Sequence, residues 1–115
     1  MVVETDPRDL SEADVDRIFK ALADATRRDI VRRTLAAEAT VSALAADYDM
    51  SFAAVQKHVA VLEGAGLVTK HRSGRERLVR GNPAAIQHAQ SLLDHYEQIA
   101  RARIERLDAL LAEDD

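Results

Sequence analysis

Gln56 and Lys57 stand side by side in "SFAAVQKHVAVLEG", and Lys70, Arg72, Arg75, Arg77 and Arg80 crowd the stretch that follows, with His71 among them and Glu76 as the single acid. An amide beside an ammonium suits recognition better than catalysis. Gln can pair two hydrogen bonds with the adenine edge, and Lys reaches guanine or a phosphate. Closely spaced Lys and Arg suit a polyanion, whose backbone they position without reading sequence. The bland reading of such a ribbon is a solvated sheet edge, where cations also discourage aggregation.

Catalytic readings do not assemble. Ser and His occur together, but neither a nucleophile elbow nor a carboxylate-oriented His is visible. Gly64-Ala65-Gly66 follows a helical stretch instead of opening one, so it cannot cradle a phosphate at a helix N-terminus. Asp47 and Asp49 flank a tight turn, and the acids at 113–115 read as a solvated tail. The chain is not expected to be an enzyme.

The recognition groups need elements to hold them. Ser11 precedes Val15, Ile18, Phe19 and Leu22, a helical spacing with acids in the first turn. Asp24 can cap a second helix with Ile30, Val31 and Leu35 on its apolar face, and Thr40 a short third carrying Val41, Leu44 and Ala45. "YDMS" is a tight turn, after which Ser51 caps a fourth helix reaching about Glu63. At 100° steps Val55, Val59 and Leu62 share one side of it, while Ala53, Lys57 and Ala60 share the opposite side with Gln56 at the edge. That outward face is small, polar and basic, as a helix entering the major groove requires. One of the glycines in "GAG" ends the helix. Two short strands follow, near 67–72 and 75–81, turning at Gly74. Asn82-Pro83 then opens a last helix running to about Leu111. The fold class is therefore mostly α with a small β-hairpin wing: a winged helix-turn-helix in one domain over residues 1–115, with the helix-turn-helix at 40–63 and the wing at 67–81.

The last helix predicts a partner. Residues 83–111 would make a rod about 44 Å long, more than one small domain covers. Yet Ile86, Ala89, Leu93, Tyr96, Ala100, Ile104, Leu107 and Leu111 recur at steps of three or four, an unbroken apolar seam. A homodimer through the first helix, at 11–23, and this last one is expected, with Ile86, Leu93, Tyr96, Ala100 and Leu107 at the interface. A twofold pair would set two reading helices one DNA turn apart, about 34–36 Å, on a near-palindromic site.

The 115 residues are 47% hydrophobic and 31% charged, the balance of a folded domain. The formal net charge of −4 is segregated. Residues 1–16 hold six acids against Arg8; residues 17–82 hold twelve Lys and Arg against seven acids; residues 83–115 hold three Arg against seven acids. An anionic partner would meet the middle, leaving the acidic ends with the dimer face. There is no cysteine, which excludes disulfides and thiolate metal sites and suits a reducing, cytoplasmic setting. No apolar run approaches a membrane span, and the acidic N-terminus is unlike a signal peptide.

"ALADATRRDIVRRTL", "TVSALAADYDMSFAAVQKHVAVLEGAGLVTKHRSGRERLVRGNP" and the long terminal helix resemble the ArsR/SmtB family of bacterial winged-helix repressors, over roughly residues 15–111. The resemblance implies a homodimeric, operator-binding transcriptional repressor. It implies DNA contact at Ser51, Ala53, Gln56 and Lys57, and at the wing from Lys70 through Arg72 and Arg75 to Arg77. Phe52 departs from the family's pattern, where a polar residue is more usual, and is expected to pack beneath the helix. Many relatives sense metals. Here the thiol route is closed, and His88 and His95 on the last helix lie about 10 Å apart along its axis, too far to share an ion within one chain. They are the only metal candidates, for a site across the dimer, so neither a metal nor a cofactor is expected, and no small-molecule effector is named by the residues. His58 and His71 are expected to face DNA or to pack. The alternative function is a winged-helix interaction module whose basic face meets an acidic protein.

Overall fold

Each helix begins at a short polar side chain that accepts from a backbone amide the helix itself leaves unpaired. In the computed structural model, which describes residues 11–113, Ser11 accepts from the Asp14 amide and opens α1, Glu12–Leu22. Asp24 does so for α2, Ala25–Ala36, and Thr40 for α3, Val41–Ala46. Ser51 caps α4, Phe52–Gly64, and Asn82, with Pro83 in the first turn, caps α5, Pro83–Ala112. Each such cap is worth about 1 kcal/mol, and all five stand where the sequence placed them. The acids that the sequence sets at 1–10 and 114–115 lie outside the described residues.

The far ends are closed as carefully. Arg27 donates to the carbonyls of Ala21 and Lys20 at 2.7 and 2.9 Å, and Arg28 to that of Leu22 at 2.8 Å. The paired arginines of "ATRRD" thus return to α1 and satisfy its last carbonyls, the end where cations suit the helix dipole. At the end of α4, Gly66 takes φ 76°, its amide donating to Glu63 and that of Leu67 to Leu62, both at 3.0 Å. This paired closure brings Leu62 and Leu67 together, both fully buried.

The strands are β1 Ala39–Thr40, β2 Val68–Ser73 and β3 Glu76–Gly81, antiparallel in the order β1-β3-β2. The sequence predicted only the hairpin. A two-residue strand shows no alternation to read; β1 exists because Ala39 and Thr40 pair with Val79 and Leu78. Ile18, Ile30, Leu44, Val55, Val59 and Leu62 pack with Leu67, Val68 and Val79 in the shared core. On α2 the buried face is Ile30, Val31 and Thr34, with Leu35 exposed. This corrects the expected Leu35: it lies a further 100° round from Thr34, whose hydroxyl donates to the Ile30 carbonyl at 2.7 Å and so enters the core satisfied.

Gly81 shows how tightly the wing meets α2. A Cβ there would stand 2.7 Å from both the backbone nitrogen and Cγ of Leu35, so only glycine allows this approach. Asn82 ties the other side: its side-chain amide donates to the Gly66 carbonyl and its backbone amide to that of Leu67, both at 2.9 Å.

α5 begins on the core, burying Ala85 and Ala89, and then leaves it. Its 30 residues make a rod of about 45 Å. The molecule is 72 Å in its longest dimension with a radius of gyration of 19.4 Å, against about 13 Å for a compact chain of this length.

Candidate nucleic-acid interface

The turn between α3 and α4 fixes the angle at which α4 is presented, and α2 fixes that turn. Tyr48 donates its hydroxyl to Asp29, which also accepts from Arg32. Arg33 donates to Asp47 at 2.7 Å and lies 5.4 Å from the Tyr48 ring centroid. The Tyr48 hydrogen bond, then that of Arg32, holds the Asp29 carboxyl below its usual range. Burial, then the carboxylate of Asp29, pushes the Tyr48 phenol up.

On α4, Val55, Val59 and Leu62 are buried, and Ala53, Gln56, Lys57 and Ala60 are exposed, the division that the helical wheel predicts. The Ser51 oxygen accepts from the Ala54 amide at 3.1 Å, and its own proton can still be donated outward. His58 is half-buried, its Nδ1 3.3 Å from Arg27, so it packs against α2. His71 is exposed and pairs through Nε2 with the Thr69 hydroxyl at 2.8 Å.

The wing cations are not equivalent. Arg80 grips Glu38 through two nitrogens, at 2.7 and 3.1 Å. Lys70 is 20% exposed and 3.8 Å from Glu63. Arg72, Arg75 and Arg77 are exposed and have no ion pair among the described residues. Moreover, Arg72 stands directly opposite Arg77 across the ladder, and like charges so placed repel. Gly74, at φ 63°, lets the strands turn back at this charged tip.

A groove of about 330 Å³ lies between the starts of α3 and α4 and the wing, lined by Thr40, Val41, Ser42, Phe52, Gln56, Lys70, Arg75, Glu76 and Arg77. It brings together four of the predicted contact residues, Gln56, Lys70, Arg75 and Arg77. Ala53 and Lys57 on α4 and its cap Ser51 stand outside it, and Arg72 lines a second recess of about 400 Å³ with Glu63, Lys70, His71 and Arg77. The other five lining residues, Thr40, Val41, Ser42, Phe52 and Glu76, were not expected contacts. Ser42 carries no sequence signal. Phe52 was expected beneath the helix, but it is 50% exposed: it sits in the first turn of α4, and the buried residues of that helix begin only at Val55.

On α5, Ile86 is partly buried, packing against the chain's own core. Leu93, Tyr96, Ile104, Leu107 and Leu111 are 47–73% exposed, as is Ala100 beside them. Tyr96, Ala100, Ile104 and Leu107 share one exposed apolar face of this helix, flanked by Arg103. His88 is half-buried and His95 exposed; among the described residues no three His, Cys, Asp or Glu side chains are grouped to hold a metal ion. No described helix is long and apolar enough to cross a membrane.

A family model described as a helix-turn-helix domain matches residues 22–71, from the end of α1 into β2. The HTH-type transcriptional regulator Rv2034 of Mycobacterium tuberculosis is 37% identical over 81 residues, 70% of this chain and 76% of that protein. YuzN of Bacillus subtilis, an uncharacterised HTH-type transcriptional regulator, is 44% identical over 80 residues, 64% of this chain and 87% of its own. A crystal structure of an ArsR family transcriptional regulator, RHA00566, aligns with a TM-score of 0.74 and 30% identity, over 80% of this chain and 95% of that one.

Proposed function

This chain belongs to the ArsR family of winged helix-turn-helix transcriptional regulators, and we propose that it binds a near-palindromic operator as a cytoplasmic homodimer and represses transcription by occupying the promoter. Members of this family are DNA-binding regulators and not enzymes. The observation that carries the finer reading is the groove itself: Gln56 of α4 and Arg75 and Arg77 of the wing line one surface.

In this reading α4 enters the major groove. Ala53 and Ala60 let its backbone come close, Gln56 pairs with an adenine edge, and Lys57 takes a guanine or a phosphate. Arg72, Arg75 and Arg77 meet phosphates or the minor groove beside it, and the phosphates relieve the repulsion between Arg72 and Arg77. Lys70 adds charge at the groove wall.

The dimer follows from what α5 leaves uncovered. Covering what is still exposed of each large side chain from Leu93 to Leu111 is worth about 1–2 kcal/mol, and a twofold axis pairs these seams while α1 adds Phe19, also exposed. It also sets two copies of α4 about 34–36 Å apart, on the same face of the duplex.

Fluorescence anisotropy over a salt series, on DNA from the protein's own promoter and on a scrambled duplex, tests the reading. Promoter-selective binding that falls steeply with salt supports it. Equal or absent binding on both duplexes at low salt overturns it in favour of the acidic protein partner.

A further inference from the structure

We infer that Phe52 is a specificity-determining residue that reads the C5-methyl group of one thymine in each half-site, near the base pair taken by Gln56. The inference deepens the DNA-binding reading and rests on it.

Phe52 is the first residue of α4, and Gln56 follows one turn later on the same side. Both line the groove between α4 and the wing. Phe52 is 50% exposed, and its neighbours in the groove are mostly polar or charged, Thr40, Ser42, Lys70, Arg75, Glu76 and Arg77, with Val41 the other apolar group. An exposed apolar side chain standing singly needs no explanation in general. This one differs by its position, at the leading end of the helix proposed to enter the major groove and in the cleft that would receive the strand. The apolar feature that the major groove offers is the thymine methyl, which contacts side chains such as Ala and Phe and stands beside the thymine O4 acceptor, whereas adenine, guanine and cytosine present donors and acceptors with no methyl. A phenyl ring cannot pair with those and would leave them dry and unsatisfied. Phe52 therefore favours thymine by attraction to one base and by penalty against the others.

The spacing adds a second constraint. Four residues along α4 advance about 6 Å, less than two base-pair steps of about 3.4 Å each. The thymine met by Phe52 and the adenine met by Gln56 thus lie one to two base pairs apart, so each half-site should carry a short A·T element on the side entered by the N-terminus of α4.

Replacing thymine by deoxyuridine removes only the methyl group. The probe is a duplex that the wild-type protein selects from a random-sequence library, remade with deoxyuridine at one thymine at a time. For the wild type, one thymine per half-site should stand out, its substitution weakening binding about four-fold, the value of one buried methyl, and both together about fifteen-fold. Phe52→Ala should bind the parent duplex more weakly and be indifferent to the same substitutions, and Phe52→Leu should keep part of the sensitivity. Wild-type affinity unaffected by any deoxyuridine, or equal sensitivity in Phe52→Ala, would overturn the assignment. If the wild type selects no sequence at all, the DNA-binding reading falls and takes the assignment with it, a result distinct from selection without methyl dependence.

Discussion

Arg77→Ala and Arg80→Ala remove the same charge from the same strand, and the structure predicts different consequences. Arg77 is exposed, with no ion pair among the described residues and with Arg72 opposite it. Arg80 is held by Glu38 at 2.7 Å, at the base of the wing beside β1. If Arg77 neutralises one phosphate in each protomer, its loss removes two contacts from the dimer, and the slope of log affinity against log salt becomes shallower by about 1.8. Between 50 and 200 mM salt the wild type should then lose about twelve-fold more affinity than Arg77→Ala. Arg80→Ala should leave the slope where it was, because its charge is already matched and its distance from the wing tip is screened. Its cost falls on the fold instead, at less than about 1 kcal/mol for so exposed a pair. Anisotropy titrations of both variants on one selected duplex at four or more salt concentrations supply the slopes, and thermal melts the stabilities. Equal flattening by the two substitutions would refute the distinction between paired and unpaired wing cations.

Other outcomes follow from the same geometry. Leu93→Glu puts a charge into the exposed seam of α5 and should yield a folded monomer in sedimentation velocity; a variant that still sediments as a dimer would show the seam to be misassigned. Gly81→Ala forces a Cβ to within 2.7 Å of the Leu35 backbone nitrogen, so stability should drop by about 1–3 kcal/mol in a denaturant melt. Arg72→Thr should raise the melting temperature slightly by removing the repulsion across the ladder, while weakening binding to every duplex. Tyr48→Phe removes the leading cause of the lowered Asp29 pKa. A lowered folded-state pKa contributes stability above the unfolded value that is lost as pH falls through it. The wild type should thus melt higher than Tyr48→Phe near neutral pH, and the gap should close below about pH 4.

Much of this architecture was legible in the residues because local chemistry decides it. Ser11, Asp24, Thr40, Ser51 and Asn82 each mark a helix start in the sequence, and each accepts the expected amide. The two faces of α4 follow from its period alone. What escaped depends on where the core ends and on distant partners. Phe52 lies close to the apolar side of the wheel, yet no core extends beneath the first turn of α4. The residues pairing Arg80 with Glu38 are 42 apart in the chain, so nothing local separates Arg80 from Arg77. β1 owes its existence to the strand beside it. Ile86 and Leu93 sit on one periodic seam, and only the point at which α5 leaves the body divides the partly buried residue from the exposed one.

In the proposed complex two copies of α4 read one face of a duplex, one turn apart, with a wing beside each. Hydroxyl-radical footprinting of the full chain on its selected duplex addresses it most directly. Two protected windows should appear on the same face, their centres about 10 base pairs apart, with the flanking protection lost in the combined Arg72→Ala, Arg75→Ala and Arg77→Ala variant. A single unpaired window, or flanks unchanged by that variant, would contradict it.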